Sequence, residues 1–190
     1  MVNYFIVHGS FSNPYANWFP WLASEIEKTK LAEMEEPICY VPQFPTGVGK
    51  QTYDNWEKVM LAYIDAGLIT QETTIFAHSI APAFVCKFLI KHSVKVKRLV
   101  FVSGFNNYFG VSKEYDEVNK TMFTESIEKV KDLAEDIVCV YSNNDPYVDF
   151  EAEDDFAKKV SNKQIVIDGG GHLNAGSGYT EFPMLLKYIG

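Results

Sequence analysis

The sequence is poor in the residues that would tie it to several large classes of protein. It has three cysteines, Cys39, Cys86 and Cys139. Their odd number and the lack of any C-x-x-C spacing argue against a disulfide framework or a zinc site, and their apolar surroundings predict buried thiols. Positive charge is scarce: 17 lysines and arginines face 25 aspartates and glutamates, a net charge of −8. Phosphate contact needs clustered cations, so neither nucleic acid nor an anionic membrane is expected as a partner. No apolar run approaches the roughly 20 residues of a membrane-spanning helix. The N-terminal stretch Met1 to Val7 lacks a basic n-region, and its apolar run ends at His8-Gly9 without an A-x-A-like cleavage site. It therefore reads as a strand rather than a signal peptide, and a soluble cytoplasmic protein is expected. Histidine is also sparse, with His8, His78, His92 and His172 the only four, which narrows the choice of any general base.

What is present is core-forming material. Hydrophobic residues make up 47% of the 190 and aromatics 15%, enough for one domain, 1–190, of a size that buries roughly 70% of its unfolded surface. Six short apolar runs read as strands: Asn3–Val7, Pro37–Val41, Thr73–Ala77, Arg98–Ser103, Ile137–Tyr141 and Gln164–Asp168. Between them the apolar period changes to that of a helix. Trp18, Leu22 and Ile26 recur every four residues; Trp56, Val59, Met60, Tyr63 and Ile64 form the clearest stripe; Phe84, Val85, Phe88 and Leu89 follow Pro82 in a first turn. Further helices are predicted over Glu125–Glu135, near Ala152–Val160 and through Phe182, Leu185, Leu186 and Ile189. Residues 104–123 have no firm period and are a candidate small lid. This alternation predicts an α/β fold, a three-layer αβα sandwich around a mainly parallel six-stranded sheet. In such sheets functional residues gather beyond the carboxyl ends of the strands.

Four stretches occupy such places. Ala77-His78-Ser79-Ile80-Ala81 joins the third strand to a helix, and it is a variant of G-x-S-x-G with alanine at both glycine positions. Small residues are needed there because the sharp turn brings two backbones together. Ser79 is the candidate nucleophile. A serine hydroxyl is a poor nucleophile until a base takes its proton, and the base needs a third group to hold its tautomer. His172, in the loop Gly169-Gly170-Gly171-His172 after the last strand, is the candidate base; His92 ends a helix, His78 adjoins the nucleophile and His8 follows strand one. Asp145, in Ser142-Asn143-Asn144-Asp145-Pro146, is the candidate acid, with Asp149 four residues further from its strand. Developing oxyanion charge needs N–H donors. The Ile80 amide, at a helix start, is one candidate; the loop His8-Gly9-Ser10-Phe11 supplies the other, with Ser10 the first choice and Phe11 the second.

Together, Val7-His8-Gly9-Ser10, the Ser79 elbow, Ser142 to Val148 and Gly170 to Tyr179 resemble the small serine hydrolases of the YdeN and retinoblastoma-binding-protein-9 family, and the likeness covers essentially the whole chain. The resemblance implies a minimal α/β-hydrolase fold lacking the first strands of the larger fold, with little or no cap. It also implies a Ser-Asp-His triad, which falls on Ser79, Asp145 and His172. The family more often has glycine at the last elbow position, where this chain has Ala81 followed by Pro82.

The activity so implied is a serine hydrolase cleaving a small ester or related acyl substrate through an acyl-enzyme. It is carboxylesterase-like, with thioesterase or peptidase chemistry open, and has no metal, no cofactor and no assigned protein partner. Phe11, Trp18, Phe105, Tyr108 and Tyr147 are candidates to line an acyl pocket, with core packing as the alternative. Each site residue also has an ordinary reading, Ser79 as a helix cap and Asp145 as a turn former, but four independent turns would then have to match one catalytic order. Two rival functions remain: a protein-binding module that keeps the scaffold without turnover, and a nucleotide binder using Thr46 to Thr52. The second departs from a P-loop at both ends, with Phe44 in the first glycine position and Gln51 in the magnesium-ligating hydroxyl position.

Overall fold

The β-branched and aromatic runs form six strands in a computed structural model that describes residues 2–29, 37–107 and 112–190. They are β1 (Asn3–Val7), β2 (Ile38–Tyr40), β3 (Thr74–His78), β4 (Val96–Val102), β5 (Ala134–Ser142) and β6 (Lys163–Ile167). All pair in parallel in one sheet of order β2-β1-β3-β4-β5-β6. Helices α1 (Phe19–Lys28), α2 (Tyr53–Asp65), α3 (Ala81–His92), α4 (Lys113–Asn119) and α5 (Phe150–Val160) lie between them.

Side chains alternate faces along a strand, and both faces are apolar here because both are covered. Phe5, Val7, Ile75, Ala77, Leu99, Phe101, Cys139 and Tyr141 pack with Trp56 and Met60 of α2, Phe84 and Phe88 of α3, and Phe156 and Val160 of α5. Tyr4, Ile6, Phe76, Val100, Val102, Val138 and Val140 face the other way, onto Phe19, Leu22 and Ile26 of α1 and onto Phe182 and Leu185. The result is an αβα sandwich of the α/β-hydrolase type. Burying one such large side chain contributes about 1.5–3 kcal/mol, so the central strands carry much of the fold. Cys86 and Cys139 are buried thiols, whereas Cys39, on the edge strand β2, is only partly covered.

Two helices expected from the periodicity are not α-helices. Residues Ile127–Asp132 form a 3₁₀ segment, and Ala134 and Glu135 belong to β5 instead. The register Val96↔Ala134 and Arg98↔Asp136 explains the shift, since β5 extends backwards to satisfy the full length of β4. Pro183–Tyr188 is also 3₁₀. Within 104–123 the described residues include α4, whose N-terminus is capped by Ser112 Oγ accepting from the Glu114 amide at 3.2 Å. No described helix is long and apolar enough to cross a membrane.

The strand order positions the site. From β1 the chain runs to the edge strand β2 and returns on the other side of β1 to form β3. The connections leaving β1 and β3 therefore diverge and open a crevice between their carboxyl ends. His8-Gly9-Ser10 and Ser79 face each other across it.

Candidate active site

Ser79 follows the last residue of β3 and precedes α3 by one residue, with φ of +65°. A non-glycine residue in this left-handed region stores about 1–3 kcal/mol of strain. The strain is held by a hydrogen bond from the Ser79 amide to the Val102 carbonyl at 2.9 Å and by packing around Ala77 and Ala81, both fully buried. Two alanines thus suffice for the elbow. The loop after β1 comes so close that a Cβ on Gly9 would lie 2.7 Å from Ser79 Cβ and 3.2 Å from its Oγ. Only glycine fits there without displacing Ser79.

His172 bridges the other two candidates. Its Nε2 lies 3.1 Å from Ser79 Oγ, and its Nδ1 lies 2.5 Å from Asp145 Oδ2. The Asp145 side chain is fully buried, and its Oδ1 accepts from the amides of Tyr147 at 2.8 Å and Val148 at 3.1 Å. Burial alone would raise its pKa, but His172 and these two amides outweigh it and hold the carboxyl below its ordinary value. An ionised Asp145 assigns the proton of neutral His172 to Nδ1, which leaves the Nε2 lone pair to accept from the Ser79 hydroxyl.

The loop carrying His172 is tied down by groups distant in sequence. The Gly171 amide donates to Asn144 Oδ1 at 2.7 Å and the Gly170 amide to Ser142 Oγ at 2.9 Å. Gly171 has φ of +58°, and a Cβ there would collide with the Ser177 side chain, so glycine is required at this position. His78 Nε2–H donates to the His172 carbonyl at 3.0 Å. Burial, and then the neighbouring His172, push the His78 pKa down to about 3, which keeps it a neutral donor.

Trp18 departs from expectation. It is fully buried on the α1 side of the sheet, outside the cavity, and its Nε1–H donates to the Leu173 carbonyl at 3.0 Å. An indole combines a large apolar body with one donor, so Trp18 fills the core and fastens the histidine loop instead of meeting substrate.

The facing loop is clamped too. His8, kept neutral by burial, donates from Nδ1 to the Gly9 carbonyl at 2.9 Å and accepts at Nε2 from the Phe44 amide at 3.0 Å. Ser10 Oγ donates to Asn119 Oδ1 at 2.6 Å. Gln51 Nε2 donates to both of those oxygens, at 3.0 and 2.9 Å, while Gln51 Oε1 accepts from the Phe11 amide at 3.2 Å. The second-choice donor, the Phe11 amide, is therefore already committed. Among the described residues, the amides of Ser10 and Ile80 donate to no protein acceptor. Gln51 comes from the stretch resembling a phosphate loop, but its buried side chain is spent on this clamp.

A cavity of about 270 Å³ opens above Ser79 and His172. Ser10, Phe11, Phe105 and Tyr147 line it; Tyr108, another candidate for the pocket, lies outside the described residues. Tyr147 stands edge-on to the His172 ring with centroids 5.2 Å apart. Asn13, Asn17, Tyr115 and Asn119 also line it, and no sequence pattern marked them, because they come from loops and from the stretch without period. No aspartate, glutamate, lysine or arginine is among the described lining residues.

Residues 4–190 match the serine hydrolase family. The chain is 25% identical over 189 residues to the protein YdeN of Bacillus subtilis (strain 168), covering 97% of this chain and 93% of YdeN. The crystal structure of the B. subtilis ydeN gene product superimposes with a TM-score of 0.84 at 21% identity, covering 100% of this chain and 97% of that one. Est1E of Butyrivibrio proteoclasticus, solved with ferulic acid bound, has a TM-score of 0.70 at 15% identity and covers 100% of this chain and 90% of its own.

Proposed function

The chain belongs to the serine hydrolase family, and from that premise we propose that it cleaves a small, uncharged ester or related acyl compound through an acyl-enzyme on Ser79. The observation that carries this reading is the bridging of Ser79 Oγ and Asp145 by one imidazole, at 3.1 and 2.5 Å, at the mouth of the crevice. His172 Nε2 takes the serine proton as Oγ attacks the carbonyl, and returns it to the leaving group. It then takes a proton from the water that attacks the acyl-enzyme and delivers it to Ser79 Oγ as the acyl–oxygen bond breaks, which releases the acid and restores the serine. Asp145 holds the tautomer and stabilises the imidazolium. The Ser10 and Ile80 amides donate to the oxyanion, supported by their freedom from other acceptors.

The uncharged lining favours a neutral substrate, because burying a charge without a partner is costly. Phe11, Phe105, Tyr115 and Tyr147 suit an aliphatic or aryl acyl group. The test is labelling with a fluorophosphonate probe, followed by a panel of neutral and charged p-nitrophenyl esters, thioesters and aminoacyl amides. Labelling and a preference for neutral esters are expected. A folded protein that stays unlabelled would overturn the reading in favour of a non-catalytic binding module.

Gly9→Ala tests the crevice. The added methyl must push the loop of Ser10 away from Ser79, and a misplacement of about 1 Å at a reacting centre costs on the order of 10²-fold in rate. A loss of that order in kcat, with cooperative thermal unfolding retained, is the expected result; wild-type kcat would show that the two loops are not held so closely.

A further inference from the structure

Glu153, in the first turn of α5, is fully buried, and the mechanism above makes no use of it. Among the described residues no donor meets either of its carboxyl oxygens with hydrogen-bond geometry, and the neighbouring Ser103 Oγ, one residue beyond β4, is unpaired among them too. Burial and the Asp145 carboxylate both favour the protonated carboxyl; the Ser103 hydroxyl and the Ser142 backbone nearby favour the ionised form but are outweighed. A buried carboxylate with no donor is a costly species, and two adjacent buried carboxyls do not both ionise. Asp145 has His172 and two amides to stabilise its charge, so the proton resides on Glu153. A carboxylic acid requires only an acceptor for its O–H, and Asp145 offers one. Burial, and then the charge of Asp145, push the Glu153 pKa up to about 9.

We propose that Glu153 is a positioning residue for the triad: as a neutral acid it donates a hydrogen bond to the Asp145 carboxylate that orients His172, and its ionisation at alkaline pH withdraws that support. The proposal rests on the triad reading given above. Other charges are poorly placed to replace it. Tyr141, on β5, senses Glu153 but donates to Asp154 at 2.8 Å. In the 3₁₀ segment packed against α5, Glu128, Lys129, Lys131 and Asp132 are exposed. On α5 itself Glu151, Asp155, Lys158 and Lys159 are exposed, and Asp154 pairs with Lys158.

The test combines the pH profile of kcat with two variants and an infrared measurement. Wild-type kcat should fall with a midpoint near pH 9, in step with loss of a protonated-carboxyl infrared band. Glu153→Gln keeps a donor but cannot ionise, so it should retain most of kcat at pH 7 and lose both the band and the alkaline fall. Glu153→Leu keeps neither, and kcat should drop about tenfold with KM little changed, the split expected when an oriented group is loosened.

Stability supplies a separate readout. The folded pKa is raised, so the folded state holds one extra proton between the ordinary glutamate value and about 9. Over that window each pH unit costs the wild type about tenfold in its folding constant, and Glu153→Gln removes the slope. An unchanged pH profile in Glu153→Gln, or a wild type without the infrared band at pH 7, overturns the proposal. Activity surviving Ser79→Ala would instead overturn the triad reading on which it rests, so the two failures are distinguishable.

Discussion

Ser79→Ala is expected to lower kcat for a p-nitrophenyl ester by on the order of 10⁴- to 10⁶-fold, the range seen when a nucleophile acting as one unit with its base is deleted. The melting temperature should barely change. Alanine at φ of +65° is as strained as serine, and the hydroxyl's contact with His172 Nε2 is a single neutral hydrogen bond at 3.1 Å. Ser79→Gly separates the two properties, since it also removes the nucleophile but populates φ above zero freely. It should be equally inactive and more stable by about 1 kcal/mol, a rise of about 2–4 °C for a chain of this size. Calorimetry beside ester kinetics on the two variants decides the matter. Residual activity above about a hundredth of wild type would remove Ser79 from the mechanism, and an unchanged melting temperature in Ser79→Gly would show that the elbow is unstrained.

Asp145→Asn should cost about 10⁴-fold in kcat at neutral pH while leaving the fold intact. The asparagine oxygen can still accept from the Tyr147 and Val148 amides, which fixes the side chain in place. That orientation aims the NH₂ group at His172 Nδ1, where the carboxylate oxygen stood at 2.5 Å. Two donors cannot face each other, so the imidazole carries its proton on Nε2 and presents N–H to Ser79 Oγ. The base is then in the wrong tautomer. The pH dependence has a definite sign: the Asp145 pKa is depressed in the folded protein, so its ionisation stabilises the fold above the ordinary aspartate value and this is lost as pH falls through the folded value. Asp145→Asn should therefore flatten the acid limb of the stability curve. Full activity in this variant would reassign the acid, and exposed Asp149 is the residue to test next.

Much of this was legible along the chain because it is recorded locally. Burial on both faces writes apolar strands such as Thr74–His78, a sharp strand-to-helix turn demands small neighbours such as Ala77 and Ala81, and turn chemistry marks Asp145 and His172. Their order along the chain, Ser79, Asp145, His172, placed each at a strand end before any contact was known. Helix type at Ile127–Asp132 was not legible, because the apolar spacing of Ile127 and Val130 suits either helix, and the pairing of β4 with β5 decided where the strand began.

Partner choice across the sheet was the larger gap. The sequence pattern shows that Trp18 is buried but not that its indole N–H meets Leu173, 155 residues away. It shows Ser10 and Asn119 as loop-forming polar residues but not their hydrogen bond across 109 residues. Periodicity records whether a side chain leaves water; which side chain it meets is set by strand order and register. For that reason the three candidate triad residues could be picked out along the chain, whereas the clamp of Gln51 and Asn119, the tether of His78 and the carboxyl of Glu153 against Asp145 exist only once β1, β3, β4 and β5 lie side by side.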